Sequence, residues 1–150
     1  MVRSPCLPSQ TKSSARSGHH RPYAPEVVSG GSSRAIEGQS GIGLAAARCY
    51  DEVRDAIDTL LVSGALANIE PAFRAWFVER AREVRRLGSV CTGAFVLADA
   101  GLLRGRRAAI HWAFAEEQAR RHRDVAVDPA PIWIEDGNVT SPARSRAMSA

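Results

Sequence analysis

The sequence is poor in the residues that would commit it to several common designs. Its three cysteines, Cys6, Cys49 and Cys91, are an odd number with no C-x-x-C pair. That excludes a disulfide framework and a zinc-ribbon spacing, and it fits a reducing, cytoplasmic setting. His19-His20 have no second ligand pair, so neither a metal nor a cofactor is expected. No apolar run approaches the length of a membrane span, and the basic N-terminus has no apolar core of the secretory type. Acidic side chains are absent from residues 1–22 and from 139–150. The formal charge of +4 therefore belongs to the ends: residues 23–138 keep 14 of the 20 basic residues and all 16 acids, a net of −2. A phosphate-binding surface needs clustered positive charge, so no specific DNA binding by this chain is expected.

What is present reads as one domain of ordinary size. Residues 1–22, rich in Ser, Pro, Arg and His, are expected to be a disordered tail. Residues 23–139 carry the fold, and 140–150 read as a second tail. Short strands are expected at 26–29 and 42–47, and a firmer one at 57–62 that is stopped by Ser63-Gly64. The clearest helix spans 70–86, with Pro71 in its first turn and an apolar stripe of Phe73, Trp76, Phe77, Ala81 and Val84. Arg74, Arg82, Arg85 and Arg86 lie largely off that stripe and read as a solvated face. A second helix, apolar almost all round, runs to Leu103 and is expected to be buried. A strand at 107–110, a helix at 113–122, and strands at 125–127 and 132–134 follow, with a turn at Asp136-Gly137-Asn138. Strands alternating with helices predict an α/β layer fold with a mainly parallel sheet.

The segment Gly88-Ser89-Val90-Cys91-Thr92-Gly93 carries the chemistry. It reads as a strand ending on a cysteine, with small residues two positions before and after it and an apolar helix at once behind. That is the pattern of a nucleophile elbow, a turn too tight for bulk at those flanking positions. At the start of a helix, unpaired N–H groups and the helix dipole favour the thiolate. The amide of Thr92, with one from the Gly64-Ala65 turn, would face a developing oxyanion. His111, directly after a strand, is the candidate base or acid toward Cys91. In parallel sheets, sites lie outside the carboxyl ends of the strands, which is where Gly64, Cys91 and His111 are expected to meet.

Residues 89–98, then Ala100-Gly101-Leu102-Leu103-Arg104-Gly105-Arg106-Arg107-Ala108 and His111-Trp112, resemble the ThiJ/PfpI superfamily, within the class I glutamine amidotransferase-like fold. The similarity extends through Asp58 to Gly64 upstream and Asp136-Gly137-Asn138-Val139 downstream. The branch it is most similar to is the sensor domain of GlxA-type, AraC-family transcriptional regulators. The resemblance implies a flavodoxin-like three-layer sandwich, commonly a homodimer, with Cys91 at the elbow and His111 as its neighbour. It also implies an acidic partner for the cysteine on a preceding strand and helix, which residues 1–22 do not supply. Ala65 stands where a second glycine is usual, and Ile110 where a threonine is usual. Both ends therefore read as truncated relative to the family. The implied function is a small-molecule-sensing domain without its DNA-binding module. The alternative is a cysteine-dependent enzyme of the same superfamily, such as an isonitrile hydratase or another hydrolase or lyase using Cys91. A domain lacking an edge strand and a covering helix is also expected to expose backbone and an apolar face, and so to aggregate.

Overall fold

The structure is a computed structural model, and it describes residues 2–3, 23–38, 41–64 and 69–142. In chain order the elements are β1 (Val2–Arg3), β2 (Ala24–Pro25), β3 (Val28–Ser29), β4 (Ala35–Glu37), β5 (Gly43–Ala45) and β6 (Arg48–Cys49). A single 3₁₀ turn at Tyr50–Glu52 leads to β7 (Ile57–Ser63), α1 (Pro71–Glu83), β8 (Arg86–Val90) and α2 (Gly93–Asp99). Then come β9 (Arg107–Ala109), α3 (Trp112–Arg121), β10 (Ala126–Asp128), β11 (Trp133–Asp136) and β12 (Val139–Pro142).

Six strands form one sheet in the order β11-β12-β8-β7-β1-β2. Its centre is parallel, as the apolar runs predict. β7 pairs with β8 from Thr59 opposite Arg86 to Ser63 opposite Val90. β8 pairs in turn with β12 at Leu87 opposite Val139 and Gly88 opposite Thr140. The margins are antiparallel: the β11–β12 hairpin on one side, β1 and β2 on the other. A parallel pair, β9 and β10, is tied to β12 by a side chain: the Ala109 N–H donates to the buried Ser141 hydroxyl at 2.9 Å. Two small pairs, β3 with β6 and β4 with β5, complete the described strands.

The core lies on one face of the sheet. Leu60 of β7 and Leu87 of β8 join Phe77 and Ala81 of α1 and Val96 and Leu97 of α2 in a single buried cluster. Across the sheet, Leu61 and Val90 are 43 % and 48 % exposed. They share that face with Gly88, where a β-carbon would come within 2.6 Å of the Leu61 methyl.

Several boundaries fall short of the sequence reading, each for a local reason. The helix expected to reach residue 86 stops at Glu83, with Val84 already extended. There the Arg85 N–H turns to the Asp58 carbonyl at 3.0 Å, and the Arg85 guanidinium grips the Asp58 carboxylate at 2.9 and 2.7 Å. Arg86 opens β8 and bonds the Tyr23 hydroxyl. These two arginines therefore lie at the amino end of β8, beside β7, and not on the helix face. The helix expected to reach Leu103 stops at Asp99. Gly101, at φ 75°, donates to Ala98, and Leu102 donates back to Leu97, which closes the helix as a Schellman motif. At the far end the chain stays in the sheet to Pro142, beyond the expected boundary, because Thr140, Ser141 and Pro142 pair with Glu135, Ile134 and Trp133. Val2 and Arg3 also pair, with Thr59 and Ile57 of β7. The rest of both expected tails, with Cys6 and His19-His20, lies outside the described residues. No helix among the described residues is long and apolar enough to cross a membrane.

The clamp on Asp58 has a consequence for acid stability. Arg85, with help from the Thr59 hydroxyl, holds the Asp58 carboxyl below its ordinary pKa. Arg34 and the Cys49 N–H do the same for Glu52. A carboxyl with a lower pKa in the folded state stabilises the fold fully above its unfolded pKa of about 4, and that stabilisation is lost as pH falls further. Thermal midpoints followed by circular dichroism are expected to fall as the pH drops below about 5. The fall should be shallower in Asp58→Asn; an identical fall would remove the clamp from the account.

Candidate functional site

Cys91 sits between β8 and α2 with φ 54°, the one left-handed non-glycine backbone among the described residues. The chain is forced through that turn by what flanks it. Ser89 and Gly93 are both buried, two residues before and after the cysteine. A β-carbon on Gly93 would run into the Val62 carbonyl oxygen. A β-carbon on Gly64 would overlap the Thr92 hydroxyl. The end of β7 is thus pressed against the turn by two glycines, which sets Gly64 against Thr92 beside Cys91. Cys91 and Thr92 are half-buried. Ala65 lies outside the described residues.

His111 caps a helix. Its backbone carbonyl accepts from the Phe114 N–H at 2.8 Å, and its Nδ1 accepts from the Ala113 N–H at 3.2 Å, so the residue caps the N-terminus of α3. The ring packs on Trp112 and Phe114, with centroids 5.4 and 6.0 Å away. Phe114 meets Phe95 of α2 edge-on, and Ile110 joins Ala94 and Phe95 in a small buried cluster. This packing fixes His111 on the flank of the helix that Cys91 introduces. An Nδ1 that accepts a hydrogen bond leaves the proton of the neutral ring on Nε2. No hydrogen bond joins Cys91 to His111 or to a carboxylate among the described residues, and no group of three metal-ligating side chains occurs there. Cys49 is buried beneath the 3₁₀ turn, where its N–H donates to Glu52 at 2.7 Å.

A cavity of about 550 Å³ opens beside the turn, an element that the sequence reading missed. Leu60 to Gly64 form one wall, Val27, Val28, Gly30 and Gly31 another, and Phe73, Trp76 and Phe77 the base. Its walls come from segments thirty to forty residues apart, and no local periodicity encodes such a meeting.

The sequence profile of the DJ-1/PfpI family matches residues 17–149. The chain belongs to the DJ-1/PfpI family. Its α/β architecture is the flavodoxin-like fold of that family. A ThiJ/PfpI family protein from Pseudomonas syringae superposes with a TM-score of 0.67 at 20 % identity, over 79 % of this chain and 49 % of that one. Among curated relatives, an uncharacterized protein in the cpoL 5′ region of Streptomyces lividans is 49 % identical over 70 residues, 44 % of this chain and 50 % of the relative. The HTH-type transcriptional regulator CdhR of Pseudomonas aeruginosa is 34 % identical over 76 residues, 51 % of this chain and 23 % of the regulator. The chain thus spans half or less of the length of these curated relatives. It is a DJ-1/PfpI domain related to transcriptional regulators.

Proposed function

We propose that this chain is a ligand-sensing domain of the GlxA type, in which Cys91, Thr92, Gly64 and His111 hold a small molecule at the cysteine elbow. The observation that carries this reading is the His111 ring. Its Nδ1 accepts the Ala113 N–H that caps α3, which leaves Nε2 to face a ligand. A ring held in this way can donate to a ligand acceptor, and no hydrogen bond joins it to the Cys91 thiol among the described residues. The kinship with transcriptional regulators points the same way. DNA recognition is assigned to a separate module, because residues 23–138 carry net negative charge.

Incubation with an alkyl isonitrile is expected to yield no formamide above background, and promoter fragments are expected to show no sequence-selective shift. Formamide production that disappears in Cys91→Ser would replace sensing by catalysis. A selective, salt-sensitive shift would return DNA binding to this chain.

A further inference from the structure

We propose that α3 is a pH-responsive strut, clamped by two histidines that answer a proton in opposite ways. Protonation frees His111 from the helix end beside the elbow and ties His122 more firmly at the other end. What the freed ring does to a ligand rests on the sensing reading; the strut itself belongs to the unliganded chain.

The first clamp is the cap. His111 is the N-cap of α3, and its Nδ1 accepts the Ala113 N–H at 3.2 Å. Helix starts are usually capped by Ser, Thr, Asn or Asp, whose oxygens go on accepting across the neutral range. An imidazole nitrogen accepts only while it carries no proton. A second proton on the ring turns Nδ1 into a donor that faces another donor. It also sets a positive charge at the helix end where positive charge is unfavourable.

Nothing nearby offsets that charge among the described residues. The first turn of α3 carries no acid, and Glu116 comes only in the second. The Cys91 thiol makes no hydrogen bond to the ring, and α2 carries no charge until Asp99 at its far end. Asp128 of β10 is held by Arg107 at 3.1 Å, and Asp136 of β11 accepts the Arg107 N–H at 2.8 Å.

The second clamp is ionic. His122 is the C-cap of α3, with its side chain 14 % exposed and its Nε2 3.2 Å from the Asp99 carboxylate. Nε2 makes no hydrogen bond there, so what joins the two is charge, present once the ring is protonated. A positive charge is favoured at a helix C-terminus. Arg121 reaches the same carboxylate at 3.7 Å and that of Glu117 at 3.7 Å. Asp124, just beyond, is paired with Arg104 at 3.0 Å, and Arg123 is exposed.

Both ends of α3 act on Phe95, four residues after Cys91. Phe114, against which the His111 ring packs, meets Phe95 edge-on at 6.4 Å, and the Arg121 guanidinium lies over its ring at 5.2 Å. Imidazole changes charge between about pH 5 and 8. Across that range α3 loosens beside the elbow and tightens away from it, so His111 is released without unfolding the helix.

The test is NMR of the intact, unliganded chain at about pH 8 and about pH 5.5, a span in which imidazoles titrate and most carboxylates do not. Ring nitrogen shifts are expected to place the His111 proton on Nε2 at the higher pH; a proton on Nδ1 would overturn the cap. Solvent exchange of the Ala113 amide, divided by its intrinsic rate, should rise about fivefold at the lower pH, the usual worth of an N-cap. The His122 amide, which bonds the Gln118 carbonyl in the last turn, should slow. His111→Asn keeps an acceptor at both pH values, so its Ala113 amide should exchange alike at the two. His122→Gln should abolish the slowing and leave the Ala113 response intact. Equal Ala113 exchange at both pH values in the native chain would overturn the proposal, as would a rise that survives His111→Asn. A slowing that survives His122→Gln would remove the second clamp, and loosening of both ends together would replace the strut by a general softening in acid. No ligand is present, so any of these failures leaves the sensing reading standing.

Discussion

Replacing Gly93 by alanine should lower the unfolding free energy by about 3 kcal/mol, the upper part of the range for forcing volume into a packed interior. The added carbon would overlap the Val62 carbonyl oxygen and stand 3.1 Å from the Val62 carbonyl carbon and 3.4 Å from that of Ser63. All three neighbours are backbone of β7, which β8 holds in register, so they cannot rotate aside. The helix cannot retreat either, because Ala94 to Ala98 are buried all round. The relief available is a shift of the whole turn, which would also part Gly64 from Thr92. Gly43→Ala is the control: nothing lies within 4 Å of that position and its φ is not positive. It should change stability by no more than about 0.5 kcal/mol. Urea unfolding with a constant slope would measure both. A Gly93→Ala variant as stable as Gly43→Ala would mean that α2 is not seated on β7 as described.

Phe77→Ala should cost about 4 kcal/mol, the usual loss when a buried aromatic is truncated and its cavity stays open. Phe77 is 1 % exposed and lies between α1 and the sheet, with Phe73 stacked 5.7 Å away and Leu60 and Leu97 in the same cluster. Small domains hold about 5–15 kcal/mol in all, so this variant should keep only a narrow margin. Trp112→Ala removes a larger ring, but one that is 54 % exposed, and it should cost far less. A midpoint for Phe77→Ala close to that of Trp112→Ala would remove α1 from the core.

Much of this arrangement is legible in residue order. The continuous apolar run of β7, the stripe of α1 and the small residues around Cys91 each state a local geometry that the structure repeats. Asp136-Gly137-Asn138 likewise marks the hairpin, with Gly137 at φ 64°. What the sequence hides is competition between distant partners. Arg85 and Arg86 continue the helical pattern, yet Asp58 and Tyr23 draw them out of it. Thr140-Ser141-Pro142 is poor strand sequence, but pairing with β11 and the bond from Ala109 to Ser141 hold it in the sheet. His111 was placed correctly at a strand end. α3 begins one residue earlier than the periodicity implies, which makes His111 its cap. The cavity is hidden for the same reason: Val28 and Leu61 come to line one space only when the fold is complete.

One feature of the turn sets durability against purpose. An L-residue held in the left-handed region carries roughly 1–2 kcal/mol of steric cost that glycine escapes. At φ 54°, Cys91 bears that cost, while the other left-handed positions among the described residues, 41, 101, 105 and 137, are all glycine. A lineage shaped for toughness alone would drift to glycine at this position and lose the sulfur without harm to the scaffold. The cysteine is the residue that such drift would erase first, and its side chain is the part of the domain that folding does not require.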